Sequence, residues 1–152
     1  MQFLEFQVLN GRNLLCCEAK FDPENLAKSM NEINELLTGQ GARSRGTTYL
    51  IFNSLKNQDM KVYVALDKEV KAVPPPFWIK EAVHMENAVK TRHEGDLFAL
   101  NGSFHRVKQY LEERGLTPIT PFCCKVMSGL KSPNDTKNTI MDIYIGVNAN
   151  IL

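Results

Sequence analysis

The feature that most constrains this chain is a repeat. "DPENLAKSMNEINELLTGQG", from Asp22, and "DLFALNGSFHRVKQYLEERG", from Asp96, lie 74 residues apart. The same shift carries Leu26 onto Leu100, Ser29 onto Ser103, Leu37 onto Leu111, Gly41 onto Gly115 and, upstream, Asn13 onto Asn87. Spaced identities that share one offset imply two units built on one plan, so the reading proceeds unit by unit.

In the first segment Leu26, Met30, Ile33 and Leu37 form one apolar stripe at helical spacing; Leu100, Phe104, Val107 and Leu111 do so in the second. Asp22 suits the N-cap, Pro23 the first helical position, and Gly39 or Gly41 the left-handed stop, with Gly115 ending the second helix. After each helix comes a short β-prone run, "TYLIF" (48–52) matching "FCCKV" (122–126). Next come "MKVYVAL" (60–66) and "MDIYIGV" (141–147), now at a shift of 81, since Tyr63 corresponds to Tyr144. The extra residues fall in "SGLKSPNDTKNT" (128–139), whose composition is that of a long turn. "GQGARSRG" (39–46) also reads as a turn, because it lacks the pattern of a phosphate-binding loop.

An extended run precedes each helix, "EFQVLNGRNLLCCEAKF" and "WIKEAVHMENAVKTRHEG", each predicted as a strand broken near its asparagine. The fold class is therefore α+β: two pseudo-symmetric β-α-β-β units with antiparallel sheets, helices on one face and a central cleft on the other. Half one covers about residues 2–70 and half two about 78–148, within a single domain of 152 residues. "KAVPPPF" (71–77) is a semi-rigid connector, its prolines favouring extended geometry. Neither half alone buries enough apolar surface to be comfortably stable, so the two are expected to share a core.

A formal charge of +1 gives no broad field for nucleic acid or anionic lipid. The N-terminal residues lack a secretory signal and no apolar run approaches a membrane span, so a cytoplasmic protein is expected. Reduced thiols follow from that location. Cys16-Cys17 and Cys123-Cys124 also lack the spacing of zinc ligands, and no metal or cofactor is expected. Within a strand, one cysteine of each doublet faces the helices and the other faces away, which suits buried thiols. His84, His93 and His105 are scattered without metal spacing, and Ser103 and His105 point apart on one helix, so no catalytic triad emerges.

The last strand is two-faced. Met141, Ile143, Ile145 and Val147 alternate with Ile140, Asp142, Tyr144 and Gly146, and the matching strand of half one presents Lys61, Tyr63 and Ala65. Tyrosines with one acid and one base suit either a solvated face or a ligand groove. Trp78, directly after the prolines, either covers that groove or packs the connector.

From Trp78 onward the chain resembles the gyrase-inhibitor-like (GyrI-like) small-molecule-binding family, which also supplies effector domains of bacterial multidrug-responsive transcription regulators. The likeness extends over about residues 2–148. It is carried by His93 and Gly95 in "HEGD", where the family has a histidine-x-glycine turn entering the helix, by that helix and its glycine, and by the acid in "MDIYIGV". Many members have glutamate where this chain has Asp142, and glycine-proline where it has "GDL". With no helix-turn-helix before residue 1, the resemblance implies a stand-alone version that does not itself bind DNA.

The resemblance implies a sensor or sequestering protein for a small lipophilic, aromatic or cationic molecule. Asp142 would pair with its charge, and Tyr144, Tyr63 and Trp78 would stack on it, with Lys61 alongside. Two alternatives stand beside this reading: an inhibitor or interaction module for a protein partner, and a hydrolase acting in the same cleft. An enzyme has the least support, since no second carboxylate or histidine is placed beside Asp142. Oligomeric state is left open.

Overall fold

The computed structural model describes residues 1–53, 59–130, 132 and 135–149. Its elements run β1 (Leu4–Lys20), α1 (Pro23–Gln40), β2 (Ser44–Phe52), β3 (Asp59–Leu66), β4 (Trp78–Gly95), a 3-10 turn (Leu97–Ala99), α2 (Leu100–Arg114), β5 (Leu116–Pro118), β6 (Phe122–Ser128) and β7 (Thr139–Ala149). This is the α+β plan read from the repeat, with the short β5 added where no strand was expected. The turn before β3 and part of the long turn before β7 lie outside the described residues.

Both helices are bounded as their sequences dictate. Asp22 accepts from the Asn25 backbone amide at 2.9 Å, and Gly41 ends α1 in the left-handed conformation (φ 66°). Gly115 ends α2 in the same way (φ 65°). Asp96 caps the 3-10 turn, through the Phe98 amide, so α2 itself begins only at Leu100. β2 starts at Ser44, earlier than the turn read for residues 39–46 would allow.

The strands form one antiparallel sheet in the order β4-β1-β3-β2-β6-β7-β5, and β4 also pairs with β7. Pairing therefore closes into a ring through β1, β3, β2, β6, β7 and β4. Among the described residues, strand pairing joins the halves in two places, β2 against β6 and β1 against β4, and both registers obey the repeat. Leu50 pairs with Cys124 and Asn10 with His84, each residue facing its own counterpart 74 positions on. A pseudo-twofold axis thus passes through these two pairs.

β1 and β4 are continuous strands rather than broken ones, and the predicted asparagines mark kinks in them. Asn13 (φ 56°) and Asn87 (φ 49°) adopt the left-handed conformation that asparagine tolerates better than most residues. The Asn13 amide donates to the carbonyls of Leu66 and Lys68, and the Asn87 amide to that of Val147, the counterpart of Leu66. Each kink pins its long strand to the end of the last main strand of its own half.

One core lies between the helices and the sheet, including Leu26, Ile33, Leu100, Phe104, Ile143 and Cys124. The second fills the inside of the ring, where Leu14, Tyr49, Tyr63, Met85, Cys123 and Tyr144 are buried together. The cysteines divide between them as alternation requires. Cys17 and Cys124 join the first core, Cys16 and Cys123 the second, and all four are free thiols.

Candidate functional site

The residues read as ligand contacts all lie on the inner side of the ring. Register places them in rows. Trp78 pairs with Cys16, Cys16 with Tyr63, and Tyr63 with Tyr49. The row continues through Lys125 and Asp142 to Arg92, returning to β4 where it began. Side chains in such rows touch across strands, so one belt carries rings at one end and charges at the other.

The aromatic part is closely packed. Tyr63 and Tyr144 are each 7% exposed, while Trp78 packs against the same cluster and is partly open. Tyr49 crosses from β2 to β1, its hydroxyl 3.4 Å from the Asn10 carbonyl. A Cβ at Gly11 would stand 2.7 Å from that hydroxyl, so this crossing requires glycine. The inner face is therefore occupied by its own side chains, and a ligand must displace some of them to enter.

At the charged end Asp142 is buried, 3% exposed, and already partnered. Arg92 Nε donates to its Oδ1 at 2.8 Å, and Lys90 Nζ lies 3.6 Å from Oδ2. The Asp142 carboxylate raises the pKa of the guanidinium further, chiefly through their hydrogen bond. Lys90 also stands over the Tyr144 ring, 5.7 Å from its centre. Lys61, half-buried, lies opposite Glu18 across β1 and β3.

The two halves mirror these pairs with the charges exchanged. Glu18 corresponds to Arg92 at a shift of 74, and Lys61 to Asp142 at a shift of 81. Glu18–Lys61 and Arg92–Asp142 are thus the same cross-strand pair with opposite polarity. Sequence reasoning placed Lys61 and Asp142 but missed Arg92 and Lys90, although the repeat offsets point to Arg92 once Glu18 is noticed.

Burial pushes the inner thiols up, Cys16 to about 12 and Cys123 to about 12. Neither is a ready nucleophile at neutral pH. No group of His, Cys, Asp and Glu among the described residues could hold a metal ion. Ser103, set apart from His105 in sequence reasoning, bonds instead to His93. His93 Nε2 donates to the Asp96 carbonyl at 2.8 Å, which leaves Nδ1 to accept from the Ser103 hydroxyl at 2.7 Å. The histidine of the histidine-x-glycine turn thereby ties the start of α2 to β4.

A cavity of about 320 Å³ lies on the opposite side of the sheet, beneath α1. No family model matches the chain, and no curated protein matches it in sequence. Solved structures do match. The crystal structure of the EcmrR C-terminal domain has a TM-score of 0.72 at 15% identity, covering 99% of this chain and 100% of that one. EcmrR in the cryo-EM structure of an EcmrR–DNA complex gives 0.69 at 14% identity, covering 97% of this chain and 58% of the other. A crystal structure of a hydrolase from Listeria innocua gives 0.52 at 13% identity, covering 97% and 91%. At such identities the likeness is one of fold: the chain has the architecture of the EcmrR C-terminal domain, and this fits the GyrI-like fold that its sequence resembles.

Proposed function

We propose that the protein is a small-molecule-binding module, a sensor or sequestering protein, that takes a lipophilic, aromatic or cationic ligand at the inner face of the ring. The observation that carries this reading is the convergence of Tyr63, Tyr144 and Trp78 on one face with the Asp142 ion pair at its border. Apolar rings around a few orienting charges are what such a ligand needs. The Arg92 side chain is half exposed, so a cationic ligand can replace it as the partner of Asp142 while leaving no buried charge alone.

A thermal-shift screen of lipophilic cations, neutral aromatics and common metabolites tests this. A ligand at a hundred times its Kd stabilises the native state by about 2.7 kcal/mol, a readily measured rise in Tm. Cation hits that disappear in Asp142→Asn support the site, and hits that survive both Asp142→Asn and Tyr144→Ala refute it.

A protein partner is the second reading. It draws on the exposed Leu4, Phe6 and Val8 of β1, with Phe6 81% accessible. A flat small-molecule screen followed by pull-down of a partner whose binding is lost in Phe6→Ser would favour it. The hydrolase reading ranks third, because the inner-face carboxylate is engaged in an ion pair.

A further inference from the structure

The repeat allows the two helix faces to be compared position by position. Beneath α2, Phe104 stacks on Phe122 with ring centres 4.3 Å apart, and Phe52 meets Phe104 edge-on at 5.2 Å. Subtracting the repeat offset turns Phe104 into Met30 and Phe122 into Thr48, and the counterpart of Phe52 in the other half is Val126. All three of these replacements line the cavity beneath α1. The cavity is the space that an aromatic cluster fills in the other half.

Its chemistry is equally specific. Leu26, Ile33, Leu50 and Val62 supply apolar walls, Asn34 and Thr48 supply polar groups, and no charged residue lines it among the described residues. An apolar cavity of roughly 150 Å³ holds benzene, so 320 Å³ accommodates a larger ring system. Two irregularities shape its border. Register slips between Ser44 and Thr48 in the β2–β3 pairing and between Val126 and Ser128 in the β6–β7 pairing. Ser44, Gly46 and Ser128 at these slips all line the cavity.

We infer that the space beneath α1 is a second binding site, separate from the inner face, that takes a neutral planar aromatic molecule of about two fused rings. The ligand's rings occupy the place held by Phe104 and Phe122 in the other half. Charged analogues of the same shape are disfavoured, because none of the described lining residues compensates their charge.

Methionine methyl NMR tests this on the intact protein, with 2-naphthol as probe and 2-naphthoate as its charged control. Met30 and Met127 line the cavity, whereas Met85 lies in the inner-face cluster, so the wild-type spectrum reports which site is occupied. Saturable shifts at Met30 and Met127 with 2-naphthol, absent with 2-naphthoate and at Met85, are expected. Met30→Phe, which installs the residue of the other half, should weaken binding at least tenfold without lowering Tm; Thr48→Phe serves if Met30→Phe does not fold. Shifts confined to Met85 would overturn this site while favouring the inner face. No shift up to the solubility limit, or undiminished affinity in a folded filling variant, would also overturn it.

Discussion

The two helix faces began from one pattern and ended differently. Under α2 the ring of Phe104 is buried, 1% exposed, and stacked; under α1 the matching Met30 is only partly buried beside a cavity. The order of the main strands, the glycine stops and the asparagine kinks agree between the halves, and what differs beneath the helices is side-chain volume, Phe104, Phe122 and Phe52 against Met30, Thr48 and Val126. A fold of this kind is set by its stripe and its turns, and tolerates a vacancy in one half when the other is well filled.

Truncation should separate the faces most sharply. Phe104→Ala removes a buried ring and is expected to cost about 3–5 kcal/mol in urea denaturation. Met30→Ala removes a side chain already beside open space and should cost about 1 kcal/mol. Equal losses would break the comparison.

The kinks test what the halves share. Asn87→Ala places alanine at a left-handed position and deletes the bond to the Val147 carbonyl, an expected loss of about 1–2 kcal/mol. Asn13→Ala should cost a similar amount, and Asn87→Gly should recover the backbone part of the loss. A large inequality between the two asparagines would show that one kink alone holds its strand.

Alkali probes the thiols. Burial pushes Cys17 to about 11 and Cys16 and Cys123 to about 12, with Cys124 raised as well, from an ordinary value of 9.0. Above pH 9 the unfolded chain releases these protons and the native one retains them. Stability should therefore be full below pH 9 and fall as pH rises toward 12, seen as a declining Tm in reducing buffer. Substituting Ala at Cys17 and Cys124 should flatten that decline on the helix side, and at Cys16 and Cys123 on the inner side.

Acid gives the smallest effect. Hydrogen bonds to backbone amides hold Asp22 and Asp96 below the ordinary carboxylate value. Their stabilisation is present above that value and lost as pH falls through the lowered one. Asp22→Asn should remove part of the acid dependence of helix content by circular dichroism, because Asp22 caps α1 directly. Asp96→Asn should change helix content less, since Asp96 caps only the 3-10 turn.

Much of this was legible in the sequence because it is local. Asp22, Gly41 and Gly115 carry their own conformational reasons, and strand alternation divided the cysteines between the faces before any contact was known. The candidate residues Tyr63, Tyr144, Lys61 and Asp142 were likewise placed on one side by alternation and repeat, whereas Trp78 stood open between groove and connector until the pairing of β4 with β1 set it opposite Cys16. The partners Arg92 and Lys90 were not, since cross-strand register between β4 and β7 depends on how distant segments dock. β5 escaped for the same reason: three residues carry no period, and only pairing with the end of β7 makes them a strand. The replacement of Phe104 by Met30 could be read from the offset, but its meaning required the sheet beneath.

The axis through Leu50–Cys124 and Asn10–His84 has one more consequence. Each half meets the other through equivalent positions, so the single chain has the layout of a pseudo-symmetric dimer whose two units are joined by a tether. In an untethered homodimer every substitution appears twice, and a vacancy opened on one side opens on both. Covalent linkage removes that restriction: one copy can keep its aromatic filling and hold the fold together while the other is free to specialise.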